Sequence, residues 1–110
     1  MEFGAGSRHH VPMTELLTDT QVAEALQHLP EWRQEGRRLS RTVEFASFPQ
    51  AIQAVTRIAE IAESENHHPD MDIRWRTVVF HCTTHSQGGI TANDTSLARE
   101  IDNVVEQLTS

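Results

Sequence analysis

The chain has 110 residues and a formal net charge of −7, with 16 acidic residues against 9 basic ones, all of them arginine. That length supports one domain, and that charge balance excludes a protein that binds nucleic acid by neutralising phosphates. Apolar residues at 37% and charged residues at 23% are ordinary for a water-soluble domain, and no stretch reaches the roughly 20 apolar residues of a membrane span.

Residues 1–12 show no periodicity and are rich in Gly, Ser and His. They read as a disordered leader or a vector-derived segment without the apolar run of a signal peptide, so the domain is expected over 13–110, with Met13 as its start. A helix is predicted from Thr18, which forms a capping-box pair with Gln21, and Val22, Ala25, Leu26 and Leu29 continue it until Pro30. Residues 31–34 and 37–45 read as strands joined at Glu35-Gly36, with Leu39, Arg41, Val43 and Phe45 sharing one face. Ser47 and Gln50 form a second capping-box pair. Behind it, Phe48, Ala51, Ile52, Val55, Ile58, Ala59 and Ala62 make the strongest apolar stripe in the chain. This helix should end near Asn66, because Pro69 disfavours helix in the residue before it.

Residues 71–85 read as one long strand, or as a short strand and a longer one. Val78, Phe80 and Cys82 are expected on the core face, and Thr77, Val79, His81, Thr83 and His85 on the other. Cys82 is then a small buried hydrophobe rather than a nucleophile, and a lone thiol fits a reducing, cytoplasmic compartment. Gly88-Gly89 reads as a loop. A last helix from Thr91 carries Leu97, Ile101, Val104, Val105 and Leu108 at helical spacing. The order α-β-β-α-β(-β)-α predicts an α+β layer pair, with helices on one sheet face and the face of His81 and His85 left open.

Histidine is the residue type that stands out, with seven in the chain, of which His9 and His10 fall in the leader. His67-His68-Pro69 leaves the second helix, and Glu63 and His67, four apart, are expected on one helical face. His85 arrives from a strand end, so helix terminus and strand end should converge on one pocket. Imidazole titrates near pH 6.5, so paired histidines can donate one proton while accepting another, and a carboxylate such as Glu63 can fix a tautomer. Plainer readings stand beside this one. Histidines after a helix also serve as its C-terminal cap, and Asp94, three residues after Thr91, is a capping carboxylate for the last helix. Trp32 and Trp75 read as packing residues, and His81 as a strand-face histidine without a role. Glu63, His67, His68 and His85 could also ligate a metal, against which stand the adjacency of two of them and the lack of an H-E-x-x-H helix.

Glu63, His67-His68-Pro69, Trp75 and His85, followed by Gly89-Ile90-Thr91, Asp94 and Leu97-Ala98, resemble the signature of the pterin-4a-carbinolamine dehydratases. The likeness extends upstream to Leu29-Pro30-Glu31-Trp32 and the helix after Phe45, so it spans nearly everything beyond Met13. The resemblance implies a four-stranded antiparallel sheet with three helices packed on one face, assembled as dimers or tetramers. It implies His67, His68 and His85 as catalytic residues, and Glu63, Asn66, Thr83, Thr84, Ser86, Trp32 and Asp94 as substrate-binding residues. Family members often carry Asp where Asn66 stands and varied residues where Ser86 stands. The implied reaction removes water from a 4a-hydroxytetrahydropterin to give quinonoid dihydropterin, with no cofactor and no metal. It belongs to tetrahydrobiopterin recycling downstream of an aromatic amino acid hydroxylase, with no nucleic acid or membrane partner. The resemblance also implies a rival: relatives act as dimerisation partners of a transcription factor or as assembly chaperones.

Overall fold

Helix α1 (Asp19–Leu26), strands β1 (Arg33–Glu35) and β2 (Arg38–Glu44), helix α2 (Phe48–Glu65), strands β3 (Asp70–Arg74) and β4 (Thr77–Cys82), and helix α3 (Ala92–Thr109) follow one another along the chain. The computed structural model describes residues 12–110; the expected leader, apart from Pro12, lies outside them. The strands form one antiparallel sheet in the order β1-β2-β4-β3, the α+β architecture expected. None of the described helices is long and apolar enough to cross a membrane.

Helix α1 opens on the capping box of Thr18 and Gln21. Its apolar positions run on to Leu29, but the helix proper stops at Leu26. His28 and Leu29 then bond three residues back, a tighter turn that still buries Leu29 ahead of Pro30. β1 and β2 pair Glu35 with Arg38 around the two-residue turn Gly36-Arg37, where Gly36 has φ +61°. Tight hairpin turns need that conformation, and glycine adopts it at no steric cost.

Strand β4 is central and alternates as its sequence demands: Val78, Phe80 and Cys82 are fully buried, while Thr77, Val79 and His81 face the open side. Burial raises the Cys82 thiol well above its ordinary pKa, which keeps it protonated and inert. Across the ladder Leu39 pairs with Cys82, Arg41 with Phe80 and Val43 with Val78. Arg41 therefore points at the helices, where Asp102 of α3 neutralises it.

Residues 71–85 resolve into a hairpin rather than one strand. Its turn is Trp75-Arg76, and Trp75 sits at φ +55° with 71% of its surface exposed. The packing role expected of Trp75 is therefore wrong: the turn forces this ring out of the core, and the Arg76 guanidinium covers it at 4.9 Å.

Helix α2 starts at Ser47, whose hydroxyl accepts from Gln50 N–H, but the Gln50 side chain bonds Ala46 N–H instead of closing a capping box on Ser47. Its buried face is Ala51, Ala54, Ile58 and Ala62. The expected stripe is wider than the face that packs, because small side chains let α2 approach α3 closely. One flank of the stripe, Phe48 and Ile52, is left exposed. All three helices feed the same core, α1 through Val22 and α3 through Leu97, Ile101 and Val105 against Phe45, Phe80 and Leu39.

Candidate active site

Helix α2 ends because Asn66 turns left-handed at φ 53°, and the His67 N–H reaches back to Ala62 O at 3.0 Å. Left-handed termination is a routine way to close a helix, and asparagine tolerates it better than most residues. The chain therefore changes direction before His67, and Glu63 and His67 do not share a helical face as their spacing suggested. Glu63 Oε1 instead meets His68 Nε2 at 2.9 Å, on the surface. His67 turns inward.

His67 Nε2 lies 2.6 Å from Oδ1 of Asp94, which is completely buried. Asp94 closes the capping box of α3 by accepting the Thr91 N–H on Oδ2 at 2.9 Å, and the same oxygen accepts the Thr84 hydroxyl at 2.8 Å. Both carboxylate oxygens are thereby engaged. A carboxylate only accepts, so the proton in the contact with His67 sits on Nε2, and Nδ1 is the ring's remaining acceptor in the neutral form. Likewise the one hydroxyl proton of Thr84 goes to Asp94, so in the 2.8 Å contact between Thr84 and Thr91 the donor is Thr91. The network fixes the tautomer and angle of the His67 ring, as a buried carboxylate does behind many functional imidazoles.

Thr84 also leads into a single 3₁₀ turn, His85–Gln87, closed by Gly88 at φ 73°. His85 is thus set one residue beyond the Thr84–Asp94 contact. It lines a cleft of about 510 Å³ together with Thr83, Asp70 and Gly88 on one side and Glu35, Arg37 and Arg38 of the β1–β2 hairpin on the other, a volume suited to a small organic molecule. The Thr83 hydroxyl donates to Arg37 O at 2.6 Å, tying the hairpin to the strand end that carries His85. Glu35 accepts from Arg33 Nε at 2.8 Å and from the Ser40 hydroxyl at 2.9 Å. These two bonds hold its carboxyl below the usual range.

A family model described as "Pterin 4 alpha carbinolamine dehydratase" matches residues 15–104. The chain belongs to that family. A candidate pterin-4-alpha-carbinolamine dehydratase of Nocardia farcinica is 60% identical over 89 residues, 81% of this chain and 94% of the relative. One of Mycobacterium avium is 52% identical over 90 residues, 82% and 96% of the two chains. Among solved structures, a transcriptional coactivator/pterin dehydratase from Brucella melitensis superposes with a TM-score of 0.80 at 28% identity, covering 82% of this chain and 98% of that one. A pterin dehydratase-like protein that is a RuBisCO assembly factor in the alpha-carboxysome superposes at 0.61 with 18% identity, covering 73% and 93%, and shares the fold.

In this dehydratase-family chain the residues singled out from sequence fall into separate groups. His85 and Thr83 line the cleft; His67, Thr84 and Asp94 form the buried network; His68 and Glu63 pair at the surface; Asn66 and Ser86 are exposed on the two turns. Trp32 stands apart from these groups. It is 5% exposed, its indole N–H donates to Asp102 at 2.7 Å, and it does not reach the cleft. Its place just before β1 puts it among the buried core residues.

His81, read as without a role, has Nδ1 2.6 Å from the Ser40 hydroxyl, in a chain that continues to Glu35. The residues that sequence reasoning missed are Glu35, Arg37, Arg38 and Asp70. The adjacent arginines after the Glu35-Gly36 turn were the available signal, but only strand register brings them beside His85. Among the described residues no three His, Cys, Asp or Glu side chains are arranged to hold a metal ion.

Proposed function

We propose that this chain dehydrates a 4a-hydroxytetrahydropterin to the quinonoid dihydropterin. The observation that carries the reading is the buried Asp94 carboxylate holding His67 at 2.6 Å while its other oxygen holds Thr84, next to His85. In the reaction the C4a–O bond breaks as the leaving oxygen gains a proton, the N5–H proton is removed, and the freed electron pair forms C4a=N5. Water leaves and nothing is oxidised, so no electron carrier is called for. One group must donate while another accepts, and His67 and His85 are assigned these transfers. Such catalysis contributes about 10²–10⁴-fold. Asp94 sets the His67 tautomer, with Nδ1 as its accepting atom. We assign substrate orientation to the surface pair of His68 and Glu63, and substrate binding to Thr83 on the cleft wall together with Asn66, Thr84 and Ser86.

The reading places the chain in tetrahydrobiopterin recycling in the cytoplasm, after an aromatic amino acid hydroxylase. It also includes self-association, which the exposed apolar flank of α2, with Phe48 46% and Ile52 36% exposed, and Ile73 on the edge strand β3 support.

The second reading, a non-catalytic interaction module, is favoured by the coactivator and assembly-factor names of the two solved relatives. A direct assay on synthetic carbinolamine separates the two. Turnover well above the spontaneous rate supports the dehydratase, and partner capture by a protein with no turnover supports the module.

A further inference from the structure

We propose that Arg37 and Arg38 make the cleft selective for pterins whose C6 side chain ends in an anionic group, a phosphate or a carboxylate. The inference rests on the dehydratase reading for the ring and adds the chemistry of the tail. In a chain of net charge −7 with 9 basic residues, Arg33, Arg37 and Arg38 all stand on one short hairpin. The charged residues lining the cleft are Glu35, Arg37, Arg38 and Asp70, with His85 beside them.

Glu35 does not cancel the hairpin's charge. Arg33 holds it at 2.8 Å, whereas Arg38 stands 3.6 Å from its other oxygen. Arg37 makes no ion pair among the described residues, and its backbone is fixed by Thr83 at 2.6 Å. The hairpin therefore offers guanidinium donors with unused capacity across the cleft from His85 and Asp70. A ring engaged at His85 shares its cleft with both guanidinium groups, and guanidinium matches phosphate or carboxylate in both charge and geometry.

The test compares three synthetic carbinolamines that differ only at C6: the neutral dihydroxypropyl side chain, its phosphate monoester, and a carboxylate of similar length. Wild-type protein, Arg37→Gln, Arg38→Gln and the control Arg99→Gln on the distant α3 surface are compared at low and high salt. The wild type is expected to prefer both anionic substrates in kcat/KM. Each cleft variant should lower that preference about tenfold, the scale of one charge-assisted hydrogen bond. The preference should shrink with salt, and Arg99→Gln should leave it unchanged. A wild type that favours the neutral substrate, or cleft variants that keep the same preference, would overturn the inference while leaving the dehydratase reading intact. If no carbinolamine is turned over, the dehydratase reading fails. Fluorescence titration of the matching unreactive 7,8-dihydropterins then decides the inference alone: an Arg37-dependent preference for the anionic tail supports it, and equal affinities refute it.

Discussion

The buried carboxylate of Asp94 does two jobs at once: Oδ1 lies 2.6 Å from His67 Nε2, while Oδ2 caps helix α3 through the Thr91 N–H at 2.9 Å. A contact that begins as helix capping thus becomes the orienting partner of an imidazole three elements away in the chain. Replacing it should separate the two functions.

Asp94→Asn with its oxygen at the Oδ2 position still accepts from the Thr91 N–H and the Thr84 hydroxyl, but it presents an amide N–H to His67. Facing His67, that donor would demand the opposite tautomer and remove the accepting atom assigned to the reaction. The variant should fold, with a melting temperature lowered by several degrees, and dehydrate about 10²-fold more slowly or worse. Circular dichroism and the dehydration assay on the same preparation check both halves.

Trp32→Phe should leave the dehydration rate within about twofold and cost about 1 kcal/mol of stability, because it removes the 2.7 Å indole bond to Asp102 without touching the cleft. Denaturant unfolding alongside the rate assay measures both. A large loss of rate with stability intact would return Trp32 to the substrate site.

Much of this was legible in the sequence, and the divisions are physical. The strands and caps were readable because they depend on near neighbours: Thr18 with Gln21, Thr91 with Asp94, and the two-residue alternation of Val78, Phe80 and Cys82. His67, His68 and His85 stood out as residues of one chemistry. Spacing could not show that Asn66 turns left-handed, which hands Glu63 to His68 and sends His67 to Asp94. Nor could it show which flank of the α2 stripe stays exposed, since that depends on how closely Ala51, Ala54 and Ala62 let α3 approach. The guanidiniums of Arg37 and Arg38 reach the cleft only through the β1–β2–β4 register, which no local pattern encodes.

Glu100 of α3 has Oε1 buried without a hydrogen-bond partner among the described residues. Its carboxyl is pushed up to about 7 from an ordinary 4.5, first by burial and then by the neighbouring Glu65. A raised carboxyl pKa means the fold favours the protonated form. Its contribution is fully present below pH 4.5 and is lost as pH rises through about 7. Glu100→Gln should therefore melt higher than the wild type above pH 7, with the gap closing as pH falls towards 4.5. Paired thermal melts across that range read the difference directly, and a gap that stays constant with pH would remove Glu100 as its source.

The apolar flank of α2 gives the assembly prediction. Phe48→Glu and Ile52→Glu place charges on a face that self-association would bury, and each should weaken it at least about tenfold while leaving the monomer folded. Light scattering over a concentration series is the measurement. A wild type that stays monomeric at high concentration would contradict the self-association itself.

The central claim is that His67 and His85 carry the proton transfers, and the rate of dehydration of a synthetic 4a-carbinolamine tests it most directly. His67→Ala and His85→Ala should each fall about 10²-fold or more below the wild type while remaining folded, with His81→Ala affected far less and with EDTA leaving the wild-type rate unchanged. Rates for both variants close to the wild-type value would contradict the account.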